Sequence, residues 1–217
     1  MSCAICHLRK EKRFCLALHD RICPQCCGEQ REMTLDCPSE CPYLQQAYQH
    51  EKPRPFDEQA DELFPKVQVR EDFLQQHESL IAGLLQTLLR LAHTDRNLTD
   101  REVISALTTM ARSYQTLVAS GLVYQQPTAN PAQAAIIETV GKAVEDFRRV
   151  EQQHLGYTAL RDADVLRALV FIIRLVHLNT SGRPLARGFI YFLQQRFPAQ
   201  GASQEAAAQT GGRIILP

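Results

Sequence analysis

The chain has 217 residues, 45% of them hydrophobic and 22% charged, with 24 basic side chains balanced by 24 acidic ones and no tryptophan. That is enough apolar material for a real core, in one medium domain or in a small domain joined to a larger one. A neutral chain gains no general attraction to phosphate backbones, and no apolar run reaches the length of a membrane span.

The opening residues, Met1 to His7, lack the apolar core of a secretory signal, so the expected location is the cytoplasm. Thiols there stay reduced unless metal or catalysis uses them. Eight cysteines nevertheless crowd into the first 41 residues and none follows. Two hooks stand out, Cys3-Ala4-Ile5-Cys6 and Cys23-Pro24-Gln25-Cys26. Two thiolates separated by two residues can face one ion when the backbone turns between them, and Pro24 and Gly28 suit a tight turn in the second hook. Cys15, Cys27, Cys37 and Cys41 remain and make up another tetrahedral set. Adjacent Cys26 and Cys27 point in different directions, which places them on different ions.

The expectation is therefore two interleaved structural zinc sites, Cys3/Cys6/Cys23/Cys26 and Cys15/Cys27/Cys37/Cys41, in an irregular module over 1–50. His7 and His19 are rival ligands, read as polar loop residues because eight thiols already suffice. A redox dithiol at Cys23 and Cys26 would need a βαβ context that this segment does not offer. Few large apolar residues fall in the module, so metal must supply much of its folding energy, about 10 to 16 kcal/mol for structural zinc.

Arg9, Lys10, Lys12 and Arg13 form a basic cluster that could touch an anion or a partner. Residues 1–50 hold six acidic side chains against six Lys and Arg, however, and each four-thiolate zinc centre adds about two negative charges. The cluster is read as ordinary solvated charge.

Residues 51–70 carry Pro53, Pro55 and Pro65 among acidic residues and read as a linker packed on the following domain, with a turn or two of helix over Asp57–Leu63. From Glu71 onward the apolar residues recur with helical spacing. A first helix over 71–92 presents Phe73, Leu80, Ile81, Leu84, Leu85 and Leu88. A capping box of Thr99 and Glu102 opens a second, over about 100–120, with Val103, Leu107, Met110, Tyr114 and Val118 inward and Gly121 as C-cap. Asn130 followed by Pro131 opens a third, reaching about His154 with Ile136, Val140, Val144, Phe147 and Val150 inward, closed by Gly156. Thr158 or Asp162 opens a fourth, apolar nearly all round at Leu169–Ile173, which belongs in the middle of a bundle. Arg187–Phe197 makes a shorter fifth. Residues 198–217, rich in Ala, Gln and Gly, read as a disordered tail.

The fold class expected is mainly α: a small two-zinc module followed by a bundle of about five helices over 71–197. Among the helices, His77, Glu78, His93, Glu138, Glu145, Asp146, His154 and His177 form no catalytic or metal-binding motif. The loop Asn179–Arg187 is more suggestive, because Arg183, Arg187, hydroxyls and a glycine near a helix start could receive a phosphate or carboxylate. The alternative is that Gly182 caps one helix, Pro184 begins the next, and both arginines are solvated or tie helices together.

The run Cys23-Pro24-Gln25-Cys26-Cys27-Gly28-Glu29-Gln30-Arg31, followed by Cys37-Pro38-Ser39-Glu40-Cys41-Pro42-Tyr43-Leu44, resembles the cysteine-rich start of a group of uncharacterised bacterial proteins. Leu98–Val103, and Gly182-Arg183-Pro184 before Phe189, are similar to the helical part of that group. The resemblance spans most of the chain. It implies the domain organisation and a bacterial origin, and it carries no activity. The functional expectation is a non-enzymatic scaffold whose zinc-stapled head and bundle recognise a protein partner or a second copy. A nucleic-acid-associated regulator and an enzyme with an interdomain site are the alternatives.

Overall fold

The computed structural model describes residues 2–50, 63–123 and 130–197. The expected helix over 57–63 and the expected tail over 198–217 fall on residues outside that range, Leu63 excepted. The chain is mainly α, with a small cysteine-rich head followed by a helical region.

The head is less irregular than its sequence suggests. Strands β1 (Arg13–Cys15) and β2 (Asp20–Ile22) pair antiparallel, with Phe14 opposite Arg21. Helix α1 (Pro24–Gln30) begins where a tight turn was expected. Pro24 occupies its first turn, where a missing N–H is harmless, and the Cys23 sulfur accepts from the Cys26 N–H as an N-cap. Helix α2 (Pro42–His50) also opens on a proline, and its Leu44 and Gln45 N–H groups donate to the Cys41 carbonyl. The interior of the head is made of seven buried cysteines with Ile22, Leu35 and Leu44. That is too little hydrocarbon to offset the entropy of ordering some fifty residues.

Six helices follow among the described residues: α3 (Glu71–Gln76), α4 (Glu78–Thr94), α5 (Asp100–Ser120), α6 (Pro131–Leu155), α7 (Asp162–Asn179) and α8 (Gly188–Arg196). The helix expected over 71–92 is broken in two at His77, whose φ of −111° and ψ of 23° leave the helical region for one residue. Its ring lies against Phe73 with centroids 4.6 Å apart. The other boundaries follow local chemistry. Thr99 and Glu102 complete a reciprocal capping box, the Asn130 side chain accepts from Ala132, and Gly121 and Gly156 close their helices at positive φ.

Helix α7 is the centre of the bundle, packing on α5 most extensively and also on α4 and α8. Val165, Ala168, Leu169, Val170, Ile172, Ile173 and Val176 on it are fully buried. Arg174 of α7 donates to the carbonyls of Leu63, Phe64 and Val67, holding residues 63–67 against the core. Val118 and Val150, expected inward, are 48% and 49% exposed; both lie in the last two turns of long helices.

The turn from α7 into α8 is unusually close. A Cβ on Gly188 would lie 2.3 Å from the Asn179 carbonyl oxygen and 3.5 Å from Tyr48 of α2. Backbone cannot yield as a flexible side chain can, so Gly188→Ala is expected to destabilise the protein by about 3 kcal/mol, measured by urea unfolding.

Candidate metal centre and the docking of the head

The first hook bends back at Cys6, where His7 adopts a left-handed φ of 56° and donates its N–H to the Cys3 carbonyl. The second hook is the start of α1. Between them, Cys3 pairs through its N–H with the Arg9 carbonyl and Ala4 with the Arg21 carbonyl, which places the first hook beside the hairpin. The sulfurs of Cys3, Cys6, Cys23 and Cys26 thereby come within 4.8 Å of one another. Zinc–sulfur bonds of about 2.3 Å put tetrahedral sulfurs about 3.8 Å apart, so a zinc ion fits this set with small adjustments. All four donors are thiols and three are buried, a composition suited to a closed structural site.

The electrostatics point the same way. Burial opposes ionisation of Cys3, but the main-chain amides of Cys6, Cys23 and Ile5 pull its thiol down to about 6. The Cys26 amide and the Arg9 guanidinium likewise lower Cys23. Cys26 is pushed up, first by burial and then by its sulfur neighbours. Four thiolates at this separation repel one another unless a cation sits among them.

Cys15, Cys27, Cys37 and Cys41 are also buried, unbridged and part of the same cluster. Among the described residues, the first set alone draws its sulfurs within 4.8 Å, so one four-cysteine metal cluster stands where two were expected. The second set is spread over β1, α1 and the loop before α2. Arg13 and Arg31 lie 3.5 Å and 3.9 Å from the Cys27 sulfur. His7 and His19 are exposed, both at left-handed φ, and neither joins the cluster.

The basic residues singled out in the sequence divide. Arg9 faces the first thiol set, and Arg13 contacts Cys27 while lying 4.6 Å over the Tyr43 ring. Lys10 and Lys12 are exposed. Arg183 and Arg187 bind the head. Arg183 donates to the Gly28 and Arg31 carbonyls at 3.0 Å and 2.6 Å, satisfying groups that the end of α1 leaves open. Arg187 reaches the Leu98 carbonyl at 3.1 Å and pairs with Asp36 at 2.6 Å.

The carboxylate that loop 180–187 receives is the chain's own Glu32, which sequence reading did not single out. Glu32 is 2% exposed, at a left-handed φ of 54°. It accepts from Ser181 at 2.8 Å, from the Arg187 N–H at 3.2 Å and from the Tyr48 hydroxyl, while its own carbonyl accepts from Leu185. Beneath it, Asp100 is fully buried and accepts from the Phe189 and Ile190 N–H groups, capping α8 from the start of α5.

Burial raises the Asp100 carboxyl from 3.8 to about 7; the Phe189 and Ile190 amides and the Thr180 hydroxyl pull it down, and the Glu32 charge adds to the rise. The folded chain therefore holds a proton here that the unfolded chain has released between those two values. This group's contribution to stability should fall as pH rises from about 4 to about 7. Unfolding free energy measured across that window should show the negative slope, and Asp100→Asn should flatten it.

A polar cleft of about 560 Å³ opens beside this junction, with Asp36 and Glu40 from the head and His93, Arg96, Arg187 and Tyr191 from the bundle along its walls. No family model matches the chain, and no curated protein or solved structure shows a significant similarity to it.

Proposed function

We propose that this chain is a zinc-stabilised, non-enzymatic interaction protein, in which the bundle carries a metal-braced head that recognises another protein or a second copy of the chain. The observation that carries this reading is the surface of the head. Leu8 is 86% exposed at the tip that follows the first hook, and Phe14, Leu18 and Met33 are more than two-fifths exposed on the same small module. A chain ordered by thiolate–metal bonds can display apolar side chains that a hydrophobically folded module of this size would need inside.

The reading includes two structural zinc ions, one on each set of cysteines. It also favours a protein partner over nucleic acid, since Arg9 and Arg13 are directed at sulfur and Arg183 and Arg187 at the head, leaving few cations for phosphate. The resemblance to bacterial cysteine-rich proteins fits this organisation.

The test is affinity purification of the full chain beside a Leu8→Asp, Phe14→Asp variant. A partner, or a dimer seen by light scattering, should be stoichiometric with the native chain and lost with the variant while bound zinc is unchanged. A strictly monomeric chain that copurifies with nucleic acid instead would overturn the reading. No helix of the described residues is long and apolar enough to cross a membrane.

A further inference from the structure

The guanidinium of Arg187 spends two of its nitrogens inside the chain. Nε donates to the Leu98 carbonyl at 3.1 Å, and Nη1 pairs with Asp36 at 2.6 Å. The remaining nitrogen, Nη2, has no partner among the described residues, although the side chain is only 15% exposed. What lies open to it is the cleft of about 560 Å³ that Arg187 lines between head and bundle. A guanidinium held at two corners and open at the third is pre-organised to receive an oxyanion, because little rotamer freedom is left to lose on binding.

The bond to Leu98 also decides what stands near that nitrogen. Residues 95–98 form a tight turn, closed by the Leu98 N–H on the Asp95 carbonyl at 3.2 Å and the Asn97 N–H on the Asp95 carboxylate at 2.9 Å. Arg96 sits on this turn, two residues from the carbonyl that Arg187 grips, and His93 lies in the last turn of α4 just before it. Both line the cleft, both are exposed, and neither side chain has a partner among the described residues. The acidic groups on the same walls are mostly engaged, Asp36 by Arg187 and Asp95 by Asn97. Glu40 alone of them carries no bond among the described residues, and its charge with that of Asp36 disfavours a polyanion such as a nucleic-acid backbone. The rest of the cavity suits a small organic molecule. Ala92, Leu98 and Ile190 are buried and give it apolar lining, and the Tyr191 ring is steadied by Tyr48, with centroids 5.7 Å apart. Small-molecule sites occupy about 300 to 1,000 Å³ and combine such a lining with a few placed polar groups.

We propose that the cleft between head and bundle binds a small molecule bearing a carboxylate or phosphate group, received by the open nitrogen of Arg187 together with Arg96 and His93. The site uses none of the exposed apolar residues of the head. It therefore goes beyond the interaction surface proposed above, and either can fail without the other.

The test is amide NMR of the full chain titrated with inorganic phosphate and, separately, with succinate, chloride keeping the ionic strength constant. Resonances of residues 93–98 and 187–194 should move and saturate with at least one probe. Arg96→Ala alters an exposed side chain and should weaken that binding roughly tenfold, whereas Arg70→Ala, at an exposed arginine that does not line the cleft, should leave it within about twofold. Saturation by phosphate alone assigns the ligand to phosphate esters, and by succinate alone to organic acids; either result, or both together, supports the site. Shifts that rise linearly with both probes, or binding that Arg96→Ala leaves unchanged, would overturn it. The titration of the native chain needs no variant, so it decides the matter even if a substitution disturbs the fold.

Discussion

Cys23→Ser should strip the first zinc ion and open residues 2–23 to trypsin at Lys10, Lys12 and Arg13, while the bundle keeps its helical circular dichroism. Serine caps a helix well, so α1 retains its N-cap and the change reports on the metal. The effect should be large. Structural zinc supplies about 10 kcal/mol or more of apparent folding free energy, and the head has three large buried hydrocarbon side chains with which to replace it. The bundle has a separate apolar core running through α3 to α8 and should not follow the head. Unchanged zinc content with unchanged trypsin resistance would mean that the four sulfurs are not ligands.

Glu32→Ala is expected to weaken the docking of the head by about 3 to 5 kcal/mol. The substitution leaves the Tyr48 hydroxyl, the Ser181 hydroxyl and the Arg187 N–H without their acceptor in a buried place. It also keeps the left-handed backbone that disfavours any side chain. Glu32→Gln should cost less, because its one carbonyl oxygen retains some of those bonds while its amide group opposes the rest. In denaturant the native chain should unfold its head and bundle together, whereas Glu32→Ala should show the head leaving first. A single unchanged transition would mean that the junction contributes little to holding the two parts together.

The bundle was legible in the sequence because its signals are local. Thr99 with Glu102, Asn130 with Pro131, and the two capping glycines each act within one turn of the residue they stop or start. The apolar run at Leu169–Ile173 announced a central helix for the same reason. The break at His77 was not legible, since the stripe of apolar residues continues through it. Within the head, the proximity of Cys3, Cys6, Cys23 and Cys26 was readable from spacing. Cys23-Pro24 and Cys41-Pro42 were the overlooked signals for α1 and α2, although Cys37-Pro38 starts no helix; proline after a capping residue starts a helix as readily as it tightens a turn.

The junction was hidden by distance. Glu32 and Ser181 are separated by 149 positions, and nothing in either neighbourhood advertises the other. Arg183 and Arg187 were visible as candidates for an anionic or partner contact, but spacing cannot say whether that contact belongs to the same chain. Arg9 and Arg13 posed the same problem: a basic run looks solvated until the fold turns two of its members toward sulfur.

The pinch at Gly188 has a consequence for ancestry. Thiols can be kept in a lineage by any demand for metal, whereas a residue without a side chain beside the Asn179 carbonyl oxygen is required by the tight passage from α7 into α8. A cousin of this chain that carries alanine or serine at that place must have moved the start of α8 away from the end of α7, whatever becomes of its cysteines. Glycine at 188 is thus a mark of the bundle's turn, and glutamate at 32 a mark of the head's seat upon it.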